Sequence, residues 1–232
     1  GDAVLAGEVV VFEQARVCDR ARVTGRAKVW GSAVICGDAQ VRGDAVVCGQ
    51  AYVCGKAQVG SDDERACVCD CARVAGRARV LNCARVYGNA EVTGSAVVSS
   101  FARVFSDARV RARAKVQDRA RIFGTTILAG AVRVGGNAEI CADVTLTDTK
   151  NVTTIGDYLE PFYESVTLIH TGDGPDDHLL RVGLWQGTVD EFAARIEELP
   201  ASWSANGTQR RTWRAEYKKI EKAARVLTSR PR

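Results

Sequence analysis

The sequence predicts a mainly β chain, with a coil of very short strands over residues 1–150 and a small α+β module over 151–232. Three observations predict it. A branched apolar residue, mostly Val, recurs at every sixth position from Leu5 to Val59 and again from Val68 to Leu146. Ala stands two residues before most of them, as at Ala15, Ala21 and Ala27, and Gly, Asp, Asn or Ser two residues after, as at Asp19, Gly25 and Gly31. Past Leu146 the period stops, and aromatic residues and helix-start signals take over. A period this short and this regular specifies a solenoid.

In an extended segment residues i and i+2 face the same way, so the Ala and Val of each A-x-V-x-G-x unit point to one side. The Gly, Asp or Asn that follows accepts positive φ and turns the chain. Strand and corner, repeated, wind a coil with Ala and Val inside. These units resemble the hexapeptide-repeat family, whose repeat carries an aliphatic residue and a small one four residues later. Val17 with Ala21, Val23 with Ala27 and Val86 with Ala90 fit. The resemblance covers roughly residues 3–146 and implies a left-handed parallel β-helix with 18 residues, three hexads, per coil. Ten aliphatic positions before the break and fourteen after it then make eight coils, or about 38 Å of stacked strands. The step from Val59 to Val68 is nine rather than six, so three extra residues within Ser61–Arg65 bulge from a corner. Loops accept such additions at little cost, although corner loops also frame ligand sites in the family.

The net charge is only +4, from 32 basic and 28 acidic residues. That balance disfavours nucleic acid as a partner. No apolar run approaches the length of a membrane span and no signal peptide is visible, so no membrane association is expected. Nine Cys follow the repeat rather than a disulfide framework, which favours reduced thiols and a cytoplasmic setting. Met is absent, position 1 included, and the first residue already lies in a repeat, which points to a trimmed start.

Shifting by 18, with three added across the break, shows which outward residues stack. Trp30, Cys48, Cys69, Tyr87, Phe105, Phe123 and Cys141, each just after its Val or Ile, form an apolar stripe over seven coils. A continuous exposed apolar patch marks an interface. The C-terminal segment could cover it, or a foreign partner could. Self-association is the leading expectation, and the resemblance makes a trimer the favoured homo-oligomer. Beside the stripe lie Lys28, Arg85, Arg103 and Arg121. Stacked cations read either as a solvated surface paired with Asp and Glu or as an anion site that holds a phosphate or nucleotide with Arg forks. Arg85, Arg103 and Arg121 are the candidates for the second reading.

Cys18, Cys36 and Cys54 form another ladder, spaced for disulfides if the side-chain vectors allow. Cys67, Cys69 and Cys71, with Cys48 alongside, could be read as zinc ligands. They lack the usual C-x-x-C spacing, so small apolar filling is preferred and no metal or cofactor is expected. The two His, His170 and His178, lie outside the repeat. Acyltransferases of the resembled family use a His on a coil as general base, and the related carbonic anhydrases use three His on zinc. Neither arrangement can be built here, so no catalytic residue is assigned.

In the C-terminal third, Ser165–His170 and His178–Trp185 read as strands around a Gly172–Asp176 turn. Thr188 and Glu191 make a capping box for a helix through about Leu199, stopped by Pro200. Trp213, Tyr217, Ile220, Ala224 and Leu227 follow helical spacing on a final helix from about Thr208. The stretch Val182–Phe192, with Ala215-Glu216-Tyr217, resembles a C-terminal module of bacterial and phage hexapeptide-repeat proteins. The His often found between its helices is absent, with Trp203 and Asn206 in that region. The expected function is a non-catalytic oligomeric scaffold or binding protein, phage-related through that module. An acyltransferase with an unconventional base, or sequestration of an anionic nucleotide-like ligand, are the alternatives.

Overall fold

In a computed structural model, which describes residues 2–61, 64–159, 164–172, 177–202 and 207–229, the repeats form three eight-stranded parallel sheets. Successive strands of one sheet come from successive coils, so Val23 pairs with Val41 and Val41 with Val59. The coil is an eight-turn parallel solenoid of hexapeptide units. Every hexad from Ala21 to Ile122 buries both its Ala and its aliphatic residue completely. Thr126 replaces Ala in one hexad and is also fully buried. Its hydroxyl is satisfied there by the Phe123 and Ala142 carbonyls, at 2.9 and 3.0 Å.

The corners explain the third position of the repeat. The residue two after the aliphatic takes positive φ in every hexad from Leu5 to Val134 except that of Val59, where Gly60 does. At Gly31 an added Cβ would lie 2.6 Å from the Gly49 carbonyl oxygen of the next coil. Asp19, Asp70 and Asp118 adopt the same backbone conformation with φ near 60°. Their carboxylates accept the N–H of Gly37, Gly88 and Gly136 on the next coil, at 2.9, 2.9 and 2.8 Å. Asp in a corner therefore replaces Gly while adding a coil-to-coil bond.

The extra residues do bulge without breaking the ladder. Val59 pairs with Val80 and Val47 with Val68, so one coil is longer and the columns stay in register. Ser61 and Glu64 close the base of the bulge by a bridge, and the Glu64 carboxylate accepts from the Asn82 side chain. Asp62 and Asp63 lie outside the described residues.

The chain divides into two compact units, Gly1–Gly136 with Cys141–Thr149, and Asn137–Ile140 with Lys150–Arg232. The second unit holds a four-stranded antiparallel sheet of Val152–Leu159, Glu164–His170, His178–Val182 and Trp185–Gly187. Helix α1 spans Val189–Ser202 and helix α2 spans Gly207–Thr228. Leu168, Leu180, Phe192, Ile196, Tyr217 and Ile220 form its core.

Two expectations change here, and one strand is new. The segment His178–Trp185 is not one strand but two, folded back at Gly183, which has φ 54°. The Val152–Leu159 strand was not foreseen, and its register slips around Gly156. Helix α1 continues to Ser202, past Pro200, since a Pro in the last turn removes only one backbone donor. The capping box is present. Thr188 Oγ1 accepts from Glu191 N at 3.1 Å, and Glu191 Oε2 accepts from Thr188 N at 2.8 Å. Pro161, Phe162, Tyr163, Trp203, Asn206 and most of the Gly172–Asp176 turn lie outside the described residues.

Candidate functional site

The strands Lys28–Val29, Cys67–Val68, Arg85–Val86, Arg103–Val104 and Arg121–Phe123 belong to one face of the coil. Each buries its aliphatic residue, so the residues before and after it must point outward. Two parallel rows result, one cationic and one apolar.

Trp30, Cys48, Cys69, Tyr87, Phe105, Phe123 and Cys141 are all half-buried. Much of that cover is mutual. Tyr87 and Phe105 stack at 4.9 Å with planes 1° apart, and Phe105 and Phe123 at 4.7 Å and 5°. Strand spacing is about 4.8 Å, so parallel strands place these rings in face contact without adjustment. Trp30 stacks on Phe12 at 5.7 Å. Phe12 is a member of the row that the sequence reading missed, although it lies 18 residues before Trp30 and follows its Val in the same way. Between the two stacks the row is filled by Cys48 and Cys69, which are joined as a disulfide with Cα atoms 4.6 Å apart. Reduced thiols had been expected throughout. The bonded pair is this one, and Cys18, Cys36 and Cys54 remain free.

Arg85, Arg103 and Arg121 stand side by side in register. Arg121 lies 5.8 Å from the centroids of both Phe105 and Phe123. Arg85 and Arg103 are exposed and make no ion pair among the described residues. Elsewhere carboxylates do intervene. Arg26 pairs with Asp44 through two bonds of 2.8 and 3.0 Å, Arg20 pairs with Asp38 at 2.8 Å, and Glu91 lies in register between Arg73 and Arg109. The solvated-surface reading accounts for those cations; Arg85 and Arg103, like Lys115 and Arg133 on another face, stand in register without a carboxylate between them.

A cleft of about 260 Å³ opens at this point, walled by Cys67, Cys69, Asp70, Arg85, Tyr87 and Arg103. The Cys67 and Cys69 sulfurs are 3.3 Å apart. Burial pushes the Cys67 thiol up, while Arg65 and Arg85 pull it back. On a different face Cys36 and the Tyr52 hydroxyl share a hydrogen bond of 3.2 Å. That bond is the main reason the Tyr52 phenol is pushed up to about 12.

The histidines serve the second unit's own fold. His178 Nε2 accepts the Val189 N–H at 3.1 Å and so caps α1. His170 is only 7% exposed and stands opposite His178 across the strand pair. Among the described residues no group of three His, Cys, Asp or Glu converges as a metal site, and no helix is long and apolar enough to cross a membrane.

No family model matches the chain, and no curated relative does. Among solved structures it is similar to the UDP-N-acetylglucosamine acyltransferase of Campylobacter jejuni, at 18% identity over 63% of this chain and 67% of that one, with a TM-score of 0.32. It is also similar to a Bacillus cereus protein described as an acetyltransferase, at 9% identity over 99% of each chain, with a TM-score of 0.22. Likenesses of this size do not bear on chemistry.

Proposed function

We propose that this protein is a non-catalytic, self-associating scaffold or binding protein whose aromatic row is the contact between copies. The observation that carries the reading is the straight line of Trp30, Tyr87, Phe105 and Phe123, which one chain leaves half-buried. Removing the rest of each half-buried ring from water is worth roughly 1 kcal/mol. Four rings give about 4 kcal/mol, at the low end of the range of about 4–15 kcal/mol that association costs. The row alone is therefore marginal, and Phe12, 44% exposed at its end, extends it. A closed ring such as a trimer serves better than a dimer, because each chain then meets two neighbours.

Light scattering at rising concentration tests this. The expected mass is a small multiple of 24.9 kDa. The double variant Phe105→Ser, Phe123→Ser should lower that mass and leave the coil folded, since both side chains point away from the Ala–Val interior. A single-chain mass at all concentrations overturns the proposal. An acyltransferase is the competing activity, and the position of both His outside the coils weighs against it. Saturable acyl-CoA binding with turnover of an amine or hydroxyl acceptor reverses that judgement.

A further inference from the structure

We infer that Cys48, Cys67 and Cys69 form a thiol–disulfide exchange site that takes small anionic thiols. Three sulfurs lie in sequence here, because the Cys48–Cys69 disulfide joins neighbouring coils and Cys67 Sγ lies 3.3 Å from Cys69 Sγ. Cys67 and Cys69 flank the fully buried Val68, so both side chains leave the same side of the strand. Both line the 260 Å³ cleft, and Cys48 does not. An incoming sulfur therefore reaches Cys69 first.

The other walls select the sulfur's carrier. Arg85 and Arg103 follow Cys67 on the next two strands, with no carboxylate pairing either among the described residues. They stand about 4.8 and 9.6 Å along the ladder from Cys67, within reach of carboxylates on a small thiol bound there. Asp70 is the acid in the cleft, and one of its oxygens is held by the Gly88 N–H. Two cations against one carboxylate leave the cleft positive.

The exchange balances without an outside oxidant. The thiolate of the small molecule attacks Cys69 Sγ. A new S–S bond forms to Cys69 and the Cys48–Cys69 bond breaks. Its electron pair leaves on Cys48 Sγ, which takes a proton from water. Cys67 then gives its proton to water and attacks Cys69 Sγ, and the small thiolate is expelled unchanged. The disulfide has moved from between two coils to within one strand. Residues i and i+2 of a strand have Cα atoms about 6.7 Å apart, near the upper limit for a disulfide. The within-strand bond is thus accessible but less favoured, which makes the site a reversible clip on the coil that carries the bulge. Attack requires thiolates, so exchange should quicken as pH rises.

The test incubates the full chain with glutathione, a thiol bearing carboxylates, then alkylates and maps the cysteines by mass spectrometry. Native protein should show Cys48 released and a Cys67–Cys69 link in a minority of chains. Cys67→Ser should show glutathione on Cys69 and no such link. The Arg85→Gln, Arg103→Gln variant should react with glutathione roughly tenfold more slowly and with neutral 2-mercaptoethanol at the native rate. A Cys48–Cys69 bond left intact in every chain by glutathione, or one that never forms after exposure to glutathione disulfide, overturns the site. Equal slowing for both thiols, or no slowing for either, overturns its preference for anions.

Discussion

Truncating Phe105 tests whether the aromatic row is a structural unit or only a set of residues with the same spacing. Phe105 lies between Tyr87 at 4.9 Å and Phe123 at 4.7 Å. A stacked pair contributes about 0.5–1.5 kcal/mol beyond the area it buries. Phe105→Ala removes two such pairs, or about 1–3 kcal/mol, whereas Tyr87→Ala removes one. The loss should fall outside the core, because Val104 and Ala108 are fully buried on the inner side. In a chain of this length 1 kcal/mol moves the melting temperature by about 2–4 °C. The middle truncation should therefore lower it by roughly 2–12 °C and the end truncation by about half that. Solenoid coils open through nearest-neighbour terms, so amide exchange gives the local measurement. The Tyr87 N–H bonds the Val104 carbonyl and the Phe105 N–H bonds that of Ile122, so both amides report on these coils. A double-mutant cycle of Tyr87→Ala and Phe105→Ala at low protein concentration isolates the pair from self-association. If the coupling is zero, or the middle ring costs no more than the end one, the rings are merely aligned by strand spacing and the reasoning fails.

Four further outcomes are expected. Ala112 holds φ 60° with no polar side chain to compensate, so Ala112→Gly should recover about 1–2 kcal/mol of strain less about 0.5–1 in chain entropy, visible as a small rise in denaturation midpoint. Cys36→Ala should return the Tyr52 titration, followed by phenolate absorbance, from about 12 towards the ordinary value of about 10. The folded-state value is the raised one, so the stability from this hydrogen bond is fully present below the ordinary phenol range and lost as pH rises through the raised value. Thr188→Ala should cost about 1 kcal/mol by loss of the α1 cap, read by chemical denaturation, and Thr188→Ser should not. Arg26→Gln should cost under about 1 kcal/mol despite its two-bond pairing with Asp44, because exposed ion pairs are weak; a thermal scan in low and high salt checks it.

The coil was legible because its determinants are local and repeated. An Ala, a Val and a turn residue satisfy one strand, one core layer and one corner, and the same solution recurs down the chain. Small departures from the repeat were legible too, since a three-residue excess has nowhere to go but outward. The second unit was harder. Its strands differ in length and its core is gathered from distant segments, as with Leu168, Phe192 and Tyr217. Where a strand is interrupted by Gly156 or folded back at Gly183, no period survives to reveal it.

The site shows where the repeat stops informing. Period fixes which way a side chain points, and so it placed the aromatic row and the arginine row correctly. It does not fix what each side chain then meets. Cys18, Cys36 and Cys54 repeat as regularly as Cys48 and Cys69, yet Cys36 is engaged by Tyr52 while Cys48 and Cys69 are bonded. The difference lies in the neighbours, because Tyr52 reaches Cys36 from the following coil, whereas Cys67 holds the matching place on the coil after Cys48. Arg73 and Arg85 likewise open strands of the same R-V form. Glu91 follows Arg73 on the next strand of its face, whereas Arg103 follows Arg85 on the other. A one-dimensional repeat therefore yields function only when compared coil against coil, since charge that one face neutralises accumulates on the next.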